Sequence, residues 1–198
     1  ERGYRVGYFK PVGWETTRDS EGRRIDEDAQ LMKEVLDLKV PLEVVSPIVL
    51  GTRFLEESMK IDPATYEKRV LQCYERVSEE MNFMIIEGSY SLGLGTSIGA
   101  ECIPLTQKLG SRIVLISKAE NDAAIDRIIW EKRCLEAVGG SFIGVVLNSV
   151  PETSIERVKG IGTHVLQEHG INVLGIIPDN TSLRAPTIGA VSYTHLTL

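Results

Sequence analysis

Phe83-Met84-Ile85-Ile86-Glu87-Gly88-Ser89 is the stretch on which the fold turns. Four apolar residues follow one another without alternation, the mark of a strand buried on both faces. The run then stops on a carboxylate and a glycine. A buried charge is costly unless it is paired, so a glutamate that ends an apolar strand calls for a partner or a ligand. Comparable runs stand at residues 5–9, 113–117, 142–148 and 173–177. Helical spacing fills the intervals. Ala29, Leu31, Met32, Val35 and Leu36 recur on one face within residues 26–38. Asp62-Pro63 is a helix start, with an N-cap aspartate and proline in the first position, and that helix runs to about residue 81. Further helices are predicted over 103–109, 123–138 and 154–169, the last closed by Gly170. Residues 41–50 read as extended and broken by proline. Alternating strands and helices predict an α/β fold with a doubly wound, mostly parallel sheet. Such sheets bind ligands at the carboxyl ends of their strands.

Composition narrows the field of functions. The 198 residues carry 22 Lys and Arg against 28 Asp and Glu, and 22 − 28 = −6. That balance argues against a general binder of nucleic-acid phosphates. No apolar run approaches the roughly 18 residues that would suggest a membrane-spanning helix. Cys73, Cys102 and Cys134 are odd in number and widely spaced, which argues against a disulfide framework or zinc ribbon and for reduced thiols in a cytoplasmic protein. The ends are anomalous. The chain starts at Glu1 on what reads as the last turn of a helix entering a strand, which suggests a truncated start. Val191-Ser192-Tyr193-Thr194-His195-Leu196-Thr197-Leu198 continues no pattern and reads as a translated sequencing adapter. One domain over residues 1–190 is therefore expected, with 191–198, His195 included, set aside.

The polar residues at the strand ends are the candidates for chemistry. Lys10, before Pro11, stands where an ammonium can face a phosphate or carboxylate, although by itself a solvated lysine at a strand exit is the simpler reading. Asp26 and Asp28 open a helix and either cap it or ligate Mg²⁺, a hard cation that takes carboxylate oxygens. Glu87 occupies a position like that of the Walker-B acid, which holds or orients Mg²⁺ and its water. Asn148 ends a strand with an amide able to meet a base edge. Pro178 ends the last strand where a loop could close over that base. The Gly93–Gly99 segment fails the GxGxxG fingerprint, because position 98 is Ile98, and reads as a flexible ligand-side loop. His164 and His169 are five apart, poor spacing for one helix face, and read as non-catalytic.

Taken in order, Gly3-Tyr4-Arg5-Val6-Gly7-Tyr8-Phe9-Lys10-Pro11-Val12, Asp26-Glu27-Asp28-Ala29, Ile86-Glu87-Gly88, Val146-Leu147-Asn148-Ser149-Val150-Pro151 and Leu174-Gly175-Ile176-Ile177-Pro178 resemble the dethiobiotin synthetase-like P-loop ATPases. The likeness is strongest to the variant fused to the front of some phosphotransacetylases and of proteins with a DRTGG domain. Thr187-Ile188-Gly189 looks like the end of such a domain.

The resemblance implies ATP and Mg²⁺ as cofactors. Lys10 would contact the transferred phosphate or the acceptor, Asp26, Asp28 and Glu87 would bind Mg²⁺, and Asn148 with Pro178 would bind the base. It implies a nucleotide-binding regulatory module with a fused DRTGG or acyltransferase domain. The alternative is a synthetase that phosphorylates a carboxylate or carbamate. A homodimer follows only by analogy. GxxxxGK[ST], the loop that cradles phosphates, occurs nowhere in the chain. In this family it lies ahead of the position of Glu1, together with a central strand. The chain as it stands is therefore expected to bind ATP poorly and to expose unpaired strand edges.

Overall fold

The computed structural model describes residues 3–59, 61–89 and 91–180. Thr187-Ile188-Gly189 and the 191–198 tail lie outside the described residues. The chain divides into two compact units, one of residues up to Ser111 with Val138–Ser141, the other of Arg112–Ala137 with Phe142 onward.

In the first unit, β1 (Val6–Phe9) and β2 (Val12–Trp14) lie on either side of Pro11. A hairpin of β3 (Thr17–Arg18) and β4 (Arg24–Ile25) follows, then α1 (Glu27–Val35), α2 (Leu42–Val45) and β5 (Ile48–Leu50). The unit continues with α3 (Phe54–Ser58), α4 (Pro63–Ser78), β6 (Phe83–Ile86) and α5 (Cys102–Lys108). Proline has no N–H to give a ladder, so Pro11 hands the strand from one neighbour to another. Before it, β1 pairs in parallel with β6, Phe9 opposite Ile86. After it, β2 pairs in parallel with β5, Val12 opposite Ile48. Phe9, Val12, Ile48, Leu50, Val70 and Val77 form the main core beneath these ladders. The Asp62-Pro63 start is as expected, with Asp62 Oδ1 accepting from the Ala64 N–H at 3.0 Å.

In the second unit, β7 (Ile113–Lys118), β8 (Phe142–Val150) and β9 (Val173–Pro178) form one parallel sheet in that order. The connections are α6 (Ala123–Ala137), then α7 (Ile155–Arg157), a π-helical turn over Val158–Gly162, and α8 (Thr163–Glu168). Ile128, Val145, Leu147, Val150, Leu166 and Ile171 are its buried core. The parallel ladders and helical connections are those of an α/β, P-loop NTPase-like fold, as expected.

Local differences have physical causes. Residues 41–50 are not extended throughout: Pro41 opens the short helix α2 before β5 begins. The 154–169 helix is wound into a π turn in its middle, where Gly160 and Gly162 weaken helical preference. Strand β6 is not buried on both faces, since Phe83 and Ile85 are 57% and 42% exposed. Among the described residues it has one ladder neighbour, β1, and one uncovered face. Ile116 on β7 is likewise 68% exposed, whereas Val145 and Leu147 on the central β8 are fully buried. The Gly93–Gly99 segment is also not a simple ligand-side loop. Ile98 is buried in the core, and Gly95, at φ +89°, leaves no room for a Cβ, which would lie 2.8 Å from the Ala100 carbonyl oxygen. No helix among the described residues is long and apolar enough to cross a membrane. Cys73, Cys102 and Cys134 are free thiols.

Candidate functional site

The centre of the first unit is a lysine among carboxylates. Lys10 follows β1, and its side chain is 7% exposed. Its ammonium donates to Asp26 Oδ1 at 2.9 Å and Asp28 Oδ2 at 3.2 Å, and lies 2.8 Å from Glu87 Oε1. The solvated-lysine reading is thereby overturned. Three sequence-distant segments supply these groups for reasons visible in each. Pro11 ends β1 and leaves Lys10 at its tip. The parallel register sets Phe9 opposite Ile86, so the next residues, Lys10 and Glu87, meet at the carboxyl ends of β1 and β6. Asp26 is brought in by its role as N-cap of α1, where Oδ1 also accepts from the Ala29 N–H at 3.0 Å.

Gly13 makes room for it. A Cβ there would stand 2.7 Å from Asp26 Oδ2, the oxygen that accepts from the Trp14 N–H at 2.9 Å. Both Asp26 oxygens are therefore engaged by the protein. Asp28 sits in the first turn of α1, 73% exposed at its side chain, with one oxygen outside the Lys10 contact.

Burial alone would push the Lys10 ammonium down. Its bonds to Glu87 and Asp26, with their charges, outweigh that and hold it above the ordinary lysine range. Tyr8, which the sequence reading passed over as a core strand residue, completes the group. It is 1% exposed, and its hydroxyl donates to Glu87 Oε2 at 2.6 Å. Burial, then the bond to Glu87, pushes its phenol far up.

Asn148 and Pro178 lie in the second unit, at the carboxyl ends of adjacent strands. Asn148 stands opposite Lys118 of β7, and its Oδ1 accepts from the Ser149 N–H at 2.9 Å. Ser149 adopts φ +53°, and the β8–β9 register shifts between Leu147 and Val150. That bulge re-aims the strand end. Pro178 pairs with Val150 and is exposed.

The sequence reading also missed a basic and acidic cluster on the hairpin. Arg24 pairs with Glu57, and its Nε lies 2.8 Å from Glu15 Oε2, a contact of charge and not a directed hydrogen bond. A cavity of about 440 Å³ opens beside it, walled in part by Arg23, Arg24, Asp26, Lys33 and Ser46. The Ser46 hydroxyl is buried without a hydrogen-bond partner.

A family model described as an AAA domain, AAA_26, matches residues 1–187. The chain belongs to this family. AAA_26 is the dethiobiotin synthetase-like P-loop family, in agreement with the resemblance found in the motifs. The chain is 26% identical over 204 residues to a phosphate acetyltransferase of Nitrosomonas europaea, an alignment covering 96% of this chain and 27% of that protein. It thus spans about a quarter of that relative. It is 25% identical over 198 residues to the ATP-dependent dethiobiotin synthetase BioD of Methanocaldococcus jannaschii, covering 88% of this chain and 80% of that one. The corresponding synthetase of Methanococcus vannielii is 24% identical over 182 residues, covering 90% and 82%.

Among the described residues of this AAA_26 chain, no group of three or more His, Cys, Asp and Glu side chains surrounds an open cation position. Asp26, Asp28 and Glu87 surround the Lys10 ammonium instead. As donors they still suit a hard cation. Mg²⁺ is commonly held by one or two carboxylates plus substrate phosphates, and Asp28 and Glu87 offer that pair of oxygens.

Proposed function

We propose that this AAA_26 domain binds ATP with Mg²⁺ and acts as a regulatory or sensing module, fused to an acyltransferase or DRTGG partner in a cytoplasmic phosphotransacetylase-like protein. The observation that carries this is the convergence of Lys10, Asp28 and Glu87 at the carboxyl ends of β1 and β6. That is where parallel sheets place ligand chemistry. The relatives' names support the nucleotide and the fused partner: one is a phosphate acetyltransferase more than three times the span of this chain, others are ATP-dependent synthetases.

In this reading Asp28 and Glu87 hold the metal, which neutralises charge on the transferred phosphate. Asp26 anchors Lys10 and α1. In the second unit taken by itself, Asn148, whose Oδ1 accepts from the Ser149 N–H, keeps its NH₂ for acceptors on a base, and Pro178 ends the adjacent strand. The test is calorimetric titration of the protein at its full encoded length with ATP, with and without Mg²⁺, alongside an acyltransferase assay of any fused domain. Micromolar binding that changes the partner's rate is the expected result. Absence of binding in both conditions would sink the proposal.

A second reading is favoured by the 440 Å³ cavity that shares Asp26 with the Lys10 centre. An ATP-dependent synthetase needs an acceptor pocket of this kind for a carboxylate or carbamate. ATP hydrolysis that rises only when a small carboxylic acid or CO₂-loaded amine is supplied would select that reading over the module.

A further inference from the structure

The ammonium of Lys10 donates to Asp26 and Asp28 and stands in charge contact with Glu87 at 2.8 Å, so three carboxylates crowd it. As it stands, its charge is met by carboxylates of the protein and not turned to a phosphate or an acceptor. One ammonium against three carboxylates also leaves the centre at 1 − 3 = −2, and among the described residues no second basic side chain reaches Asp26, Asp28 or Glu87. The three are not equivalent. Asp26 is locked by the Ala29 and Trp14 N–H groups, whereas Asp28 and Glu87 face the centre from its exposed side. Glu87 is further fixed by Tyr8, which holds the oxygen that Lys10 does not.

We infer that Lys10 is the resident cation of a position it shares with a divalent metal, so that metal binding and release of the Lys10 side chain from Asp28 and Glu87 are a single exchange. This rests on the reading of Asp28 and Glu87 as metal ligands. A divalent ion matches the −2 excess better than the ammonium does. The oxygens it takes are the ones Lys10 gives up, while Asp26 keeps the lysine tethered. Tyr8 keeps Glu87 from following the lysine outward. Lys10 then becomes free to meet an anionic ligand only after the metal has arrived, which orders the assembly of the site. A tethered competitor acts at high effective concentration, so the metal affinity of the unsubstituted protein is held down by Lys10 itself.

The test uses the full-length protein and no turnover. Lysines are acylated with limiting acetic anhydride across a Mg²⁺ titration and read by peptide mass spectrometry. Labelling of buried Lys10 is expected to rise severalfold as Mg²⁺ binds, while the exposed Lys39 stays constant. Mg²⁺ binding seen by calorimetry with Lys10 labelling flat or falling would overturn the inference. In parallel, Lys10→Gln is expected to bind Mn²⁺ on the order of tenfold more tightly. If that variant is unfolded in EDTA, Mg²⁺ is expected to restore its native circular dichroism. Weaker or unchanged metal affinity in a folded Lys10→Gln protein would overturn it. ATP affinity in EDTA is measured separately: nucleotide binding without any metal response sinks this inference and leaves the nucleotide reading standing, and loss of both sinks both.

Discussion

Tyr8 shows how much one hydroxyl can add to a site that a strand pattern already outlines. Its ring belongs to the core that Ala29, Leu38 and Val45 share, and only its oxygen reaches Glu87. Tyr8→Phe keeps the ring and is expected to cost about 1.5–3 kcal/mol in urea denaturation, the usual worth of a hydrogen bond to a charged group.

Lys10 carries more. Replacing it by Gln leaves three carboxylates facing one another, and a loss of about 3 kcal/mol is expected at low Mg²⁺. Because its pKa is raised on folding, the lysine's contribution is complete below the ordinary value of 10.5 and fades only as pH climbs beyond it. Alkaline melts of wild type and Lys10→Gln should therefore keep their full separation below that pH and only begin to draw together as pH climbs beyond it.

Glu131 is the opposite case. One of its oxygens is buried without a hydrogen-bond partner, and burial raises its carboxyl pKa. A raised acid favours the folded state when protonated and costs stability as pH rises through its folded value. Glu131→Met is expected to raise stability at pH 7 by about 1 kcal/mol and to lose that advantage in acid.

At the scale of elements, the parts legible in the sequence are those governed by local chemistry. The Asp62-Pro63 signal marks the first turn of α4 because cap and first position are set by neighbours in the chain. Asp62→Ala should lower the melting temperature by an amount equivalent to about 1 kcal/mol without touching the Lys10 centre. Lys10, Asp26, Asp28 and Glu87 were legible singly because polar residues at apolar strand ends are conspicuous. That they close around the lysine was not, since it depends on the β1–β6 register and on the close approach that Gly13 permits. Ser149 is the clearest illegible feature. Nothing in Asn148-Ser149-Val150 marks a left-handed serine, because the bulge belongs to the register of β8 on β9. The exposure of Phe83 and Ile85 was equally hidden, since an apolar run does not say which of its faces is covered.

At the scale of the molecule, each unit has its own buried core and its own set of strand ends. The sequence lacks GxxxxGK[ST], and with it the row of backbone N–H groups that grips phosphate. The 198-residue chain by itself is expected to bind ATP no more tightly than about 1 mM by calorimetry. Micromolar binding by this chain would show that nucleotide is recognised without that cradle.

Residues 6–14 are one strand spoken for twice, by β6 before Pro11 and by β5 after it. A chain segment anchored at both ends has no slack. One extra residue between Phe9 and Val12 would turn either Lys10 or Trp14 to the opposite face. Length variation over evolution must therefore be absorbed elsewhere. The hairpin tip, where Asp19 gathers the Glu21 and Arg23 N–H groups in solvent, is the nearest place that can grow or shrink without cost to the lysine.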